Sequence, residues 1–206
     1  MRKEIVIALR VTLVTLVLTG LLYPLMMTGL AQAVFPGKAN GSLVRNEQGA
    51  EVGSEIIGQV FTNPGYLQGR PSAAGNGYDA TASGGSNLGP TSKKLRDRVI
   101  ADLARLRKEN PEAPQSVPDD LVTTSASGLD PDLSPAAALW QVARIARARQ
   151  VTPDRISEVI QSRIEGRDLG IFGEPRVNVL AVNLALDQQL GKPTPVAPPA
   201  TASAAK

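Results

Sequence analysis

The chain reads as an α+β protein: one N-terminal transmembrane helix, then a single loop-rich mixed α/β domain outside the cytoplasm. Three observations carry that reading. No charge occurs in the 27 residues between Arg10 and Lys38. Three later stretches join a helix-start signal to apolar residues spaced about 3.6 apart, and a fourth, Val177 to Leu190, shows the spacing alone. Between them lie short β-branched runs separated by glycine and proline.

The uncharged run comes first. A helix rises about 1.5 Å per residue and a hydrocarbon core is roughly 30 Å thick, so Val11 to Ala33 is long enough to cross. Arg2, Lys3 and Arg10 crowd its leading edge, and cytoplasmic flanks collect such residues. The expected organisation is a cytoplasmic basic flank at 1–10, a membrane helix at 11–35, an external domain at 36–190 and a disordered Pro/Ala tail at 191–206. The rival is a cleaved signal peptide ending at Ala31-Gln32-Ala33. An h-region runs only about 7 to 15 residues, whereas apolar character here continues past Pro24 to Val34 and Phe35. Pro24 lies near Thr19 and Thr28, whose hydroxyls can compensate a lost backbone bond in lipid. Gly20, Gly29 and Ala33 offer a surface for close helix approach.

Beyond the anchor, Ser54 to Phe61 reads as a short strand. Thr62 to Pro90 has seven glycines and three prolines in 29 residues; it has too few large apolar side chains for a core of its own and must be disordered or held by something. Thr91 or Ser92 caps a helix to about Lys108 with Leu95, Val99, Leu103 and Leu106 in one stripe, and Asn110-Pro111 stops it. A strand is expected near Leu121 to Thr124. Pro135 opens a helix to about Arg149, which sets Leu139, Val142, Ala143 and Ala146 inward and Trp140, Gln141, Arg144 and Arg147 toward another side. Thr152-Pro153-Asp154 starts a helix through about Ile164, to which Ile156, Val159, Ile160 and Arg163 give two faces. Val177 to Leu190 is the last helix, with Asn178 and Asn183 as exceptions to its pattern.

Composition excludes whole classes of chemistry. Three of the 22 basic and one of the 19 acidic residues precede residue 38, leaving 19 against 18; a nearly neutral external domain gives no nucleic-acid surface. Cysteine and histidine are both absent, which removes thiolate nucleophiles, Ser-His triads, the usual zinc sites and disulfides. The domain must be stabilised by packing or by a partner.

Four segments taken in order carry a resemblance: GRPSA at 69–73, SGGSNLGP at 83–90, SGLDPDLSPAAA at 127–138 and GEPRVNVLAVN at 173–183, with QVARIARAR at 141–149 between the last two. Together they resemble the C subunit of the Kdp-type potassium-transporting ATPase, the KdpC family, from the anchor to about Asp187. Leu67 stands where an aromatic is expected after Tyr66, Leu133 where isoleucine is usual, and the tail looks like an addition. The resemblance implies a non-catalytic accessory subunit in a bacterial inner membrane, which makes the external domain at 36–190 periplasmic. Its partners would be a channel-like potassium-binding chain, a P-type ATPase chain and a small single-span chain. It also implies a catalytic-chaperone role in which the ATP affinity of the ATPase chain rises, with the glutamine matching Gln141 involved.

Ser83, Gly84 and Gly85 join Gln141 as candidate nucleotide-binding residues, since successive backbone N–H groups can cradle an anion; the bland alternative is a glycine turn closed by Ser and Asn hydrogen bonds. Topology opposes the ATP role, because the positive flank puts these residues across the membrane from cytoplasmic nucleotide. The preferred reading is an external cap on the potassium-selective chain, with Tyr66, Arg70, Ser86, Asn87 and Arg144 as partner contacts. Against this, Arg70, Arg144 and Arg176 are expected to meet solvent or a carboxylate such as Asp130. Asp130 and Asp132 offer a divalent-cation pair but fit turn and cap positions better. An alternative from another class is a membrane-anchored periplasmic hydrolase using Asp130 with Glu174, or Ser92 with Lys94.

Overall fold

The computed structural model describes residues 1–46 and 48–194. The chain divides into two compact units, Met1–Ser54 and Glu55–Lys206.

In the first unit, α1 (Arg2–Val17), a π-helical turn (Leu18–Leu22) and α2 (Tyr23–Val34) form one continuous helix. It spans 33 residues, Arg2–Val34, and its most apolar 18-residue stretch reaches a mean hydropathy of 2.4 with nothing buried inside the unit, long and apolar enough to cross a membrane. The π turn has a cause. Pro24 cannot donate to the carbonyl four residues back, and the widened turn just before it rearranges the ladder: the Tyr23 N–H donates to Leu18 O. Thr19 Oγ1 donates to Thr15 O at 2.8 Å, which covers a second carbonyl beside the irregularity. A short α3 (Pro36–Ala39) follows. Strands β1 (Leu43–Arg45) and β2 (Glu51–Ser54) then pair antiparallel, closed by Asn46 Oδ1 accepting from Ala50 N at 2.9 Å.

The strand expected at 54–61 is not there. Only Ser54 is extended in a ladder, and 55–61 is turn and irregular chain. Gly58 explains it: its N–H donates to Leu129 O at 2.9 Å, and a Cβ there would lie 2.5 Å from Asp130 O. The ribbon is pressed onto another backbone, an approach only glycine permits.

The second unit is built on a three-stranded antiparallel sheet in the order β3-β5-β4. Its strands are β3 (Asp132–Leu133), β4 (Ile164–Glu165) and β5 (Arg176–Asn178). Register sets Leu133 and Ile164 on either side of Val177, and all three join the core. The helices of this unit are α4 (Lys93–Glu109), α5 (Pro135–Trp140), α6 (Val142–Arg149), α7 (Pro153–Gln161) and α8 (Val179–Leu190); α5 and α8 pack on the sheet, and α7 packs on α5, α6 and α8. The helix starts follow their caps: Ser92 Oγ accepts from Leu95 N, Ser134 Oγ from Ala137 N and Asn178 Oδ1 from Ala181 N, each satisfying an orphan donor. Leu106, Trp140, Ile145, Ile156, Ile160 and Leu186 are buried in one cluster.

Three further expectations change. At 121–124 there is no strand; a 3-10 turn (Asp119–Leu121) drops Leu121 and Val122 into the core. The single helix expected over 135–149 breaks at Gln141, where φ −86° and ψ −5° separate α5 from α6. The last helix begins two residues later than expected, since Val177 is central-strand and Asn178 is the cap. Of the tail, Asn63 Nδ2 donates to Thr194 O at 3.0 Å; 195–206 lies outside the described residues.

Candidate functional site

The glycine-rich stretch is held by its own domain. Asn183, on α8 and 2% exposed, accepts from Leu67 N at 2.7 Å and donates to Leu67 O at 2.9 Å. Gln141 does the same one residue on: Oε1 accepts from Gln68 N at 3.0 Å and Nε2 donates to Gln68 O at 2.9 Å. Each side-chain amide imitates a neighbouring strand, satisfying backbone groups that a buried ribbon without a ladder would leave unpaired. Leu67 then fills the core completely, so the position where an aromatic was expected serves packing.

Guanidinium groups complete the clamp. Arg144 donates to Pro64 O (2.6 Å), Tyr66 O (3.1 Å) and Gln141 Oε1 (2.6 Å). Burial pushes its pKa down to about 10; it is charged at neutral pH and bound to carbonyl oxygens. Arg149 donates to Gly65 O at 2.6 Å and pairs with Asp187 at 2.9 Å, with its guanidinium 5.2 Å from the Tyr66 ring centroid. The Tyr66 hydroxyl donates to Asp187 Oδ2 at 2.8 Å. Burial, then the Asp187 hydrogen bond, raises its pKa to about 12.

A second set of contacts docks 70–86 on the loop before β3. Arg70 pairs with Asp130 at 3.1 Å, the carboxylate named as an expected partner for these arginines. Ser72 Oγ donates to Gly128 O at 2.6 Å and accepts from Tyr78 N at 2.8 Å. The Tyr78 hydroxyl donates to Arg70 O, and burial raises its pKa to about 12. Ser83 Oγ and Gly84 N both donate to Ser127 O, Gly85 runs against Ala126 O, and Thr124 Oγ1 donates to Ser86 Oγ at 3.2 Å. Asn87 is exposed with φ +49°.

Beside the clamp runs an open groove of 410 Å³ lined by Gln68, Gly69, Arg70, Tyr78, Glu109 and Gln141, among others. Several of the nucleotide-candidate groups, and the cations lining the groove, are engaged within the chain. A triphosphate needs free N–H groups or unpaired cations. The Gly84 N–H is taken by Ser127 O, both ends of the Gln141 amide by Gln68, Arg70 by Asp130, and Arg105 by Asp102 and Glu109.

Among the described residues no group of three or more acidic residues is placed to hold a metal ion. Asp130 Oδ1 accepts from Asp132 N in a turn, and Asp132 meets Asn178 and Arg176. The hydrolase pairs are likewise engaged apart: Glu174 binds Arg167, and Ser92 caps α4.

Sequence reading thus singled out Gln141, Arg144, Tyr66 and Arg70, which the structure brings onto one ribbon, and missed Arg149, Asp187, Tyr78 and the clamping role of Asn183. The one available signal was Asn183 itself, a polar residue in an otherwise apolar helical stripe.

Residues 5–188 match the family described as KdpC: K+-transporting ATPase, c chain. The chain is 62% identical over 192 residues to a potassium-transporting ATPase KdpC subunit of Myxococcus xanthus, covering 93% of this chain and 90% of that one. It is 52% identical over 195 residues to the KdpC subunit of Koribacter versatilis (95% and 100%) and 54% identical over 204 residues to that of Methylobacterium nodulans (93% and 98%). An apolar helix, a domain whose polar groups serve its own packing and a match along nearly the whole chain agree: the protein belongs to the KdpC family, the c chain of the K+-transporting ATPase.

Proposed function

We propose that the chain is a non-catalytic anchor and external cap of a potassium-transporting ATPase complex. In this reading Arg2–Val34 crosses the inner membrane once, residues 1–10 stay cytoplasmic, and the domain folds in the periplasm over the outer mouth of the potassium-selective chain. It helps hold that chain, the P-type ATPase chain and a small single-span chain together. The observation that carries the reading is the charge asymmetry of the helix: Arg2, Lys3 and Arg10 precede 27 uncharged residues, the arrangement that keeps an N-terminus inside.

Gln141, Arg144, Tyr66 and Arg70 act from within, shaping the cap by holding 64–70 in place. Ser86 and Asn87 sit on its rim and remain candidates for touching a partner. Any gain in the ATP affinity of the ATPase chain passes through the assembled membrane chains, with no nucleotide on Gln141 or the 83–85 loop.

Because the chain has no cysteine, a single one reports sidedness. Ser72 and Ser86 are poor positions, since their hydroxyls hold the fold. Ala101, exposed on α4, is better. Ala101→Cys in intact spheroplasts should react with a membrane-impermeant maleimide before lysis; reaction only after lysis would place the domain inside and end the cap reading.

A further inference from the structure

The connection from β4 to β5 is exposed at every residue from Glu165 to Pro175, yet its backbone is closed. Asp168 and Phe172 exchange both backbone hydrogen bonds at 2.9 Å, and Gly170 N and Ile171 N donate to Arg167 O and Asp168 O. Arg167 pairs with Glu174 at 2.8 Å and Arg176 with Glu165 at 2.9 Å and Asp168 at 3.4 Å, forming a collar around the stem. Past that collar stand Leu169, Ile171 and Phe172, which are 89%, 70% and 61% exposed.

Leu169 carries two penalties at once. It has φ +54° and is followed by Gly170 at φ +78°, a pair of left-handed residues for which Asn-Gly or Asp-Gly is the favoured filling. A leucine there is disfavoured by its own backbone and by water, and such an outlier on a contiguous apolar tip marks a contact surface.

The backbone also points to the occupant. A lipid surface adapts to any shape and gains nothing from a preset loop, whereas a shaped protein pocket binds a preorganised element at lower entropic cost. The collar sets two arginines against three carboxylates, so the tip offers no positive surplus to anionic headgroups, and its three apolar side chains complement an apolar cavity.

We propose that the β4–β5 tip is a docking finger, with Leu169, Ile171 and Phe172 seated in an uncharged apolar pocket of another protein chain in the transport complex. This rests on the reading of the chain as a subunit of that complex. The test uses the full chain assembled with its partners. Leu169→Cys carrying a benzophenone maleimide should, on illumination, join to a peptide of another chain of the complex. The bare thiol should be protected from a water-soluble maleimide by about tenfold or more relative to the chain expressed alone. An adduct only with lipid, an adduct only with a second copy of this chain, or an unprotected thiol would overturn the proposal.

Leu169→Asn separates docking from folding. Asparagine suits the positive φ, so resistance to urea should hold or rise while retention on a tagged partner chain falls by about tenfold. Unchanged retention would overturn the finger with the subunit reading intact. Failure of the unsubstituted chain to co-purify would sink the subunit reading and the finger with it.

Discussion

Asn183 holds Leu67 by both ends of one amide, and the consequence of losing it is calculable. Asn183→Leu keeps the volume but strands a buried N–H and C=O, so the full chain in detergent should lose about 2–4 kcal/mol in urea unfolding. Tyr66 and Tyr78 add a pH dependence. Both pKa values are raised from 10.0 to about 12 in the folded chain, so between these values the native state holds protons that the unfolded state has released. Their contribution is complete below pH 10 and is lost as pH rises toward 12. The alkaline limb of the stability profile should flatten in Tyr66→Phe with Tyr78→Phe; an unchanged limb would show that neither hydroxyl is linked to folding. Much of this network was visible as residue types, since Gln141, Arg144 and Arg70 stood out. Their direction was not: a helix with one polar side looks the same whether that side meets a partner chain or a ribbon folded back from about 70 residues earlier.

Elements were legible where the signal is local. The helices at 93–109, 135–140 and 153–161 begin where cap or proline signals put them, because those rules act within one turn. Strands failed for the opposite reason. The ladders in the second unit are two or three residues long, too short for alternation to show, and the β-branched run at 55–61 is overridden by the close approach at Gly58. Glycines therefore differ in what they tolerate. Gly58→Ala would drive a methyl into the Asp130 carbonyl at 2.5 Å and should destabilise by about 1–3 kcal/mol. Gly84→Ala meets nothing within 4 Å and should be neutral or gain up to about 1 kcal/mol from a stiffer unfolded chain. It should also leave potassium-dependent ATPase activity and its apparent ATP affinity unchanged. A fall in that affinity would restore the 83–85 loop as a phosphate cradle.

At the scale of the molecule, charge sits at one end. The basic flank belongs to the helix, while the residues after it are balanced, so the domain has little long-range field with which to attract or repel. Retention in the complex should change by less than about twofold when ionic strength rises from about 0.05 to about 0.5 M; a steep salt dependence would point to ion pairs instead. The clamp on Leu67 also has a consequence in time. Its two partners lie 116 residues apart, and at typical elongation speeds the ribbon leaves the ribosome on the order of ten seconds before Asn183 is even synthesised. During that interval the nascent segment lacks the Asn183 fastening, and a message cut short before α8 would release a product whose ribbon never acquires its closing latch.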